Sequence, residues 1–208
     1  MLTALVAYFL GSIPTGYLVG KARGIDIRTV GSGNIGATNV LRVLGKPAGI
    51  FVLLVDAAKG FVACQFAGVL VLRLLAGPNA NVDRELLRIT GAFFAILGHN
   101  YTCWLKFKGG KGIATSAGAV LALLPKAFGV SLASWVIVFA ATRYVSVASI
   151  TAAFLLPFAA WFFGRNTRMI VVAAIIGVLA IYKHRSNIQR LLDGTENRFG
   201  AKEKKDVT

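Results

Sequence analysis

Apolar residues run along this chain in long blocks, with neither the two-residue alternation of a half-buried strand nor the narrow stripe of a surface helix. The clearest blocks cover residues 2–20, 48–75, 88–105, 146–164 and 169–182. A hydrocarbon core about 30 Å thick takes about 20 apolar helical residues to cross, so each block predicts a transmembrane helix. Residues 112–142 hold two shorter apolar stretches broken at Pro125-Lys126. Read as two further spans they bring the count to seven. Read as a re-entrant pair they leave five, with every other sidedness unchanged. The pattern predicts an all-α, polytopic integral membrane helix bundle.

Composition agrees. Of 208 residues 56% are hydrophobic and 15% charged, with a mean hydropathy of +0.70, whereas soluble domains carry about 25% charge. Disorder, a disulfide-rich scaffold and a collagen-like chain are excluded. Cys64 and Cys103 both lie in apolar stretches and give no disulfide framework. The net charge of +15 does not point to nucleic acid, because a duplex binder needs a solvated domain to present its basic face. Instead the basic residues sort by side. One side collects Lys21, Arg23, Arg28, Arg42, Lys46, Lys106, Lys108, Lys111, Arg143 and the basic residues of 183–205. The other holds Arg73, Arg84, Arg88, Lys126, Arg165 and Arg168. The positive side faces the cytosol, which puts the N-terminus outside and the C-terminus inside. The start lacks a basic region and a small-residue cleavage site, so no cleaved signal peptide is expected. Residues 1–197 read as one membrane-embedded domain and 198–208 as a polar, basic cytosolic tail.

Three segments are richer in Gly, Asn and Ser than a connection requires. The first is Gly31-Ser32-Gly33-Asn34-Ile35-Gly36-Ala37-Thr38-Asn39-Val40-Leu41-Arg42. The second is Gly98-His99-Asn100 with Phe107-Lys108-Gly109-Gly110-Lys111-Gly112. The third is Lys183-His184-Arg185-Ser186-Asn187-Ile188, continuing to Gly194-Thr195-Glu196. Two spans separate the first from the second and four the second from the third. Even numbers of crossings return the chain to one face, so all three are expected at the cytosolic side.

A glycine-rich turn feeding a helix exposes backbone N–H groups and the positive end of the helix dipole, which suits a phosphate. Residues 31–36 lead into a short helix expected at about 35–44, closed by Gly45 and Pro47. On it Thr38, Asn39 and Arg42 are spaced to share a flank. Lys108 and Lys111 bracket a second glycine pair just before the next apolar stretch. Two such helix starts on one face would suit two phosphate-bearing substrates.

Rival chemistries are weaker. Gly31, Gly33 and Gly36 match a dinucleotide fingerprint, but no strand precedes them and no βαβ unit follows. His99 and Cys103, four apart on the expected helix, could begin a metal site, yet nothing is placed to complete the three or four ligands zinc needs; no metal or cofactor is expected. Asp56 and Lys59, three apart inside the second span, read as an ion pair facing protein, either structural or supporting a site. Trp104, Trp135 and Trp161 fall near span ends, as in an interfacial aromatic belt. The Ala/Gly-rich stretch 112–122 is suited to close helix packing.

Taken together, the three polar segments resemble the bacterial acyl-phosphate-dependent glycerol-3-phosphate acyltransferases (PlsY type) in order, spacing and membrane setting, from Leu2 to about Asn197. The resemblance implies a seven-helix inner-membrane enzyme with its site at the cytosolic face. It would transfer a fatty acyl group from acyl phosphate to the 1-hydroxyl of sn-glycerol 3-phosphate, giving lysophosphatidic acid and phosphate. Its partners would be those two substrates, membrane lipid and the soluble enzyme that makes acyl phosphate. By motif match, Gly31, Ser32, Gly33, Asn34, Thr38, Asn39 and Arg42 form one phosphate-binding wall. His99, Asn100, Lys108, Gly109, Gly110, Lys111 and Gly112 form the second. His184 and Asn187 order or bind the polar substrate. Ser32, Arg42, Lys111, His184 and Asn187 are the residues expected to carry catalysis, with Asp56, Lys59 and Glu196 in support. Neither His99 nor His184 is followed by the Asp of an H-x4-D pair; those positions hold Trp104 and Gln189. A phosphate oxygen of the donor is therefore the expected proton acceptor. The alternative function is a transporter for phosphorylated metabolites, which would ordinarily show internal repeats and mid-membrane polar groups in both halves.

Overall fold

In a computed structural model of the chain, residues 1–75 and 82–200 are described; of the expected tail this covers 198–200, and residues 201–208 lie outside the described part. All regular elements among the described residues are helical: α1 (Leu2–Ser12), α2 (Thr15–Ala22), α3 (Ala37–Leu44), α4 (Lys46–Leu75), α5 (Arg84–Asn100), a 3-10 turn (Cys103–Leu105), α6 (Ile113–Leu123), α7 (Pro125–Thr142), α8 (Val145–Phe162), α9 (Thr167–Lys183) and α10 (Arg185–Leu192). They divide into two compact units, 1–128 and 129–208.

Among the described residues, four stretches are long and apolar enough to cross a bilayer: Leu2–Ala22, which is α1 and α2 despite the break at Pro14, then Lys46–Leu74, α7 and α8. A fifth follows if α9 and α10, bent by 53°, count as one span. The chain is thus a multi-pass membrane protein. The expected span 88–105 ends earlier than its hydropathy suggested: α5 stops at Asn100, at 17 residues, and α6 has only 11. Hydropathy alone cannot see that the chain turns back after Asn100, because the turn carries Trp104, Leu105 and Phe107.

Within the first unit α1 packs on α4 and α5, α4 on α5 and α6, and α3 on α4; within the second, α8 packs on α9. The buried apolar residues are mostly small, as with Ala7, Ala63, Ala92, Ala95, Ala119 and Ala173, while Phe51, Leu54, Phe66, Ile137, Phe154 and Val178 are exposed. Lipid is as apolar as leucine, so nothing drives large side chains inward; small residues that let backbones approach do the packing. A Cβ on Gly118 would stand 1.8 Å from the Ala57 carbonyl oxygen of α4, and one on Gly60 would stand 2.0 Å from that of Thr115 on α6. Gly11 and Gly98 fit the α1–α5 contact in the same way, against the carbonyls of Ala95 and Tyr8. The close packing expected of residues 112–122 is therefore made by Gly118 on α4.

One face of α4 organises the site. Val52, Asp56, Lys59 and Ala63 follow one another at helical spacing, and all four are buried. Val52 joins a cluster with Ile27, Ile35, Val40 and Leu105; Asp56 and Lys59 form the next layer. Replacing Gly118 by Leu should destabilise the protein by about 1–3 kcal/mol through overpacking. Gly129→Ala, a helical position with nothing within 4 Å, should be neutral or stabilising by up to about 1 kcal/mol. Thermal unfolding in detergent checks both; equal shifts would contradict the packing described.

Candidate active site

The first turn is held by one buried side chain. Asn39 Oδ1 accepts from the Ser32 N–H at 2.8 Å, and its Nδ2 donates to the carbonyls of Ile27 and Val30, each at 3.1 Å. Asn39 is thus committed to the turn, facing inward, while Arg42 is exposed. The shared flank expected for Thr38, Asn39 and Arg42 is not what the helix presents: Asn39 shapes the wall from behind. Gly31 and Gly33 take positive φ of 59° and 67°, and a Cβ on Gly31 would meet Asn39 Oδ1 at 2.4 Å. Asn34 Oδ1 accepts from the Gly36 N–H at 2.8 Å, and α3 starts at Ala37 with Gly36, which has no capping side chain, as its N-cap. Nearby, Arg28 is engaged elsewhere. It pairs with Asp26 at 2.6 Å and lies over the Tyr17 ring at 4.7 Å. The hydrogen bonds from the Arg28 side chain and backbone hold the Asp26 carboxyl down at about 2. Arg42, by contrast, pairs with no carboxylate among the described residues.

The second turn doubles back on the end of α5. The Gly109 N–H donates to the Asn100 carbonyl at 3.2 Å and the Gly110 N–H to the His99 carbonyl at 3.0 Å. Lys106 and Phe107 make the reversal in the left-handed region, at φ of 53° and 59°, an unusual state for two successive side-chain-bearing residues. The Phe107 N–H is fastened to the Thr102 carbonyl at 2.9 Å, and the Thr102 hydroxyl donates to Ser12 O at 2.6 Å. Gly112 (φ 78°) is the N-cap of α6 and again brings no side chain to it. A Cβ on Gly109, Gly110 or Gly112 would collide with the His99 carbonyl, the His99 ring or the Asn100 amide, at 2.0, 2.2 and 2.5 Å respectively. Lys108 is exposed beside this turn and Lys111 half-buried. Cys103 lies in the 3-10 turn beyond the end of α5, so the helix face expected for His99 and Cys103 does not exist. Both turns rest on one cluster, since Leu105 packs with Ile27, Ile35 and Val40.

Beneath the second turn lies the ion pair expected from spacing. Lys59 Nζ is 2.8 Å from Asp56 Oδ1. It also donates to the Ile13 carbonyl at 2.9 Å and meets His99 Nδ1 at 2.9 Å. The Thr15 hydroxyl donates to Asp56 Oδ1 at 3.0 Å. All four side chains are buried.

The third segment belongs to the second unit. His184 is buried and its Nδ1 lies 2.8 Å from the Ala180 carbonyl, which can only accept, so that nitrogen carries the proton. Asn187 is buried and donates through Nδ2 to Glu196 Oε1 at 2.7 Å. The Ser146 hydroxyl donates to the same oxygen at 2.7 Å, and Arg190 pairs with Oε2 at 2.8 Å. Burial alone would push the Glu196 carboxyl up; the hydrogen bonds from Asn187, Ser146 and Arg190 outweigh it and hold it below the usual range. Glu196 therefore orients Asn187. Thr15, Ser146 and Arg190 were missed by sequence reasoning: single polar residues at helix starts or on a basic helix carry no signal until their partners are known.

The family profile described as glycerol-3-phosphate acyltransferase matches residues 1–194. Two relatives of that name are 47% identical over 207 residues in Thermosynechococcus vestitus (96% of this chain, 95% of the relative) and 44% identical over 198 residues in Aquifex aeolicus (94% and 96%). Among solved structures, the chain is similar to PlsY, an integral membrane glycerol 3-phosphate acyltransferase, in its glycerol 3-phosphate form (39% identity, TM-score 0.83) and its lysophosphatidic acid form (38%, 0.81), covering 95% of this chain and 94% of that one. Sequence match over nearly the whole length and a fold in common carry the same conclusion: the chain belongs to the glycerol-3-phosphate acyltransferase family.

Proposed function

We propose that this protein transfers a fatty acyl group from acyl phosphate to the 1-hydroxyl of sn-glycerol 3-phosphate, the first acylation of phospholipid synthesis. The observation that carries this reading is the pair of glycine turns on one hydrophobic cluster, each opening a helix whose N-cap has no side chain. Arg42 and Lys108 are exposed beside them. Helix starts of this kind take anions, and both substrates are phosphates. The related PlsY structures in glycerol 3-phosphate and lysophosphatidic acid forms correspond to the acceptor and product of this reaction.

The chemistry asks little of an acid or base. Acyl phosphate is a mixed anhydride with a good leaving group, so charge stabilisation matters most. The glycerol 1-hydroxyl oxygen attacks the acyl carbon, and the carbon–oxygen bond to phosphate breaks with both electrons leaving on the phosphate. The hydroxyl proton passes to a phosphate oxygen. No electron changes hands, so no redox cofactor is called for. Ser32, Gly33, Asn34, Thr38 and Arg42 form one phosphate wall, shaped by Asn39 and Gly31. Lys108, Gly109, Gly110, Lys111 and Gly112 form the other, with His99 and Asn100 behind it. His184 and Asn187 serve the polar substrate, with Asn187 set by Glu196. Arg and Lys suit these anions by charge and by their donor number.

We further propose seven crossings, α5 and α6 included, with the N-terminus outside, the glycine turns facing the cytosol of a bacterial inner membrane, a single catalytic domain over 1–197 and a basic tail beyond it. Charge asymmetry supports that orientation. A soluble enzyme making acyl phosphate is the expected supplier of the donor.

Purified protein in detergent should form lysophosphatidic acid from palmitoyl phosphate and labelled glycerol 3-phosphate without added partners. Uptake into proteoliposomes with no product would favour a carrier instead. Arg42→Ala and Lys111→Ala should each cost about 10–100-fold in kcat/KM, the size of a charge-assisted hydrogen bond. His184→Gln at saturating substrates should keep kcat well above a loss of about 10⁴-fold; a loss of that size with the fold intact would make His184 the base.

A further inference from the structure

The Lys59 ammonium has three N–H groups and three partners: Asp56 Oδ1 at 2.8 Å, the Ile13 carbonyl at 2.9 Å and His99 Nδ1 at 2.9 Å. A buried charge of this kind is tolerated only when fully compensated. The first two partners can only accept from it. The third must accept as well, since a protonated Nδ1 would set a second donor, and in a doubly protonated ring a second cation, against the ammonium. Asp56 Oδ1 stands 3.7 Å from the same nitrogen, too far to be its hydrogen-bond partner. Asp56 and Lys59 neutralise one another, so the ring between them and the turn is neutral, with its proton on Nε2.

That Nε2 edge lies against Gly110. A Cβ added to Gly110 would come within 2.2 Å of Nε2 and 3.0 Å of Cδ2, while the residue's own N–H is bonded to the His99 carbonyl. The imidazole and its backbone thus hold the turn from below, and only glycine fits on them. We infer that His99 is a positioning residue: fixed in its neutral Nε2–H form by Lys59, it is the seat that sets the height of the Gly109–Gly110 turn, and with it Lys108 and Lys111, against a substrate phosphate. This rests on the phosphate reading of the second turn. It removes His99 from the candidates for general base, because the nitrogen carrying its lone pair is occupied by the ammonium. It also gives Asp56 and Lys59 a part in the reaction, although neither touches substrate. Lys59 ties the end of α1 to the end of α5 and orients the ring.

Two measurements on the full chain test this. The first is independent of activity: ¹⁵N imidazole NMR of the histidine-labelled protein, whose two histidines are told apart by His184→Gln. Nδ1 of His99 is expected unprotonated and Nε2 protonated. A protonated Nδ1 overturns the inference. The second is a kinetic cycle over Gly110→Ala and His99→Asn; the asparagine retains an acceptor for Lys59 and removes the ring edge. Gly110→Ala should raise the KM for one phosphate substrate about tenfold or more, with kcat and the pH profile held. Adding His99→Asn should recover at least about threefold of that loss, as for residues in contact. Additive losses, or a pH limb abolished by His99→Asn alone, overturn it. A wild-type protein inactive on both substrates would sink the functional reading, and the NMR result would still decide the state of His99.

Discussion

A single buried ammonium fixes the geometry on which the first unit's candidate site depends. Lys59 lies in a long apolar helix, where an unpaired charge would cost several kcal/mol. The surrounding chain meets that demand from three directions: a carboxylate one turn back on the same helix, a carbonyl at the break between α1 and α2, and a histidine at the last turn of α5. The break at Pro14 is part of the arrangement, for it ends α1 at Ser12 and leaves the Ile13 and Ser12 carbonyls to receive Lys59 and Thr102. Electrostatic need thereby ties three helices together at one depth, beneath the glycine turn that contains Lys108 and Lys111.

Two kinds of packing share the work. Through the bundle, backbones approach across glycine and alanine, and the bulky side chains are left to lipid. At the site, where the chain must leave helical geometry, a cluster of larger residues, Ile27, Ile35, Val40, Val52 and Leu105, fills the space instead. Loops of this composition would be mobile if they were merely solvated. Here the buried Asn39 amide in the first turn and the Thr102 carbonyl in the second take up backbone groups that the turns would otherwise strand. Preorganised backbone donors are what stabilisation of a departing phosphate calls for.

Much of this was legible in the chain. The apolar blocks gave the membrane class, the Gly/Asn segments gave the turns, and the three-residue spacing of Asp56 and Lys59 gave their ion pair. What was not legible depends on where the chain returns. Nothing in the spacing of His99 says that Gly110 folds back on its ring, and residues 101–105 read as the end of a span because Trp104 and Leu105 are apolar on a turn. Asn39 looked like a surface ligand from its distance to Arg42; only the loop over 27–32, which it fastens, shows it facing inward. The Glu196 cluster was half visible: its carboxylate was expected in support, but Ser146 lies fifty positions away in sequence and could not be paired with it.

The proposed site places phosphate at the starts of α3 and α6, held there by glycine turns whose own amides at Ser32, Gly33, Gly36, Gly109 and Gly110 are bonded internally. Glycine-selective ¹⁵N labelling with titration of sn-glycerol 3-phosphate and then of acyl phosphate tests it most directly, since the chain has 23 glycines spread over every part of it. Amide shifts should concentrate at residues 31–36 and 109–112 and saturate with each ligand, while Gly129 and Gly164 stay where they are. Shifts spread evenly through the helices, or none at either turn in a protein that is catalytically active, would contradict this placement.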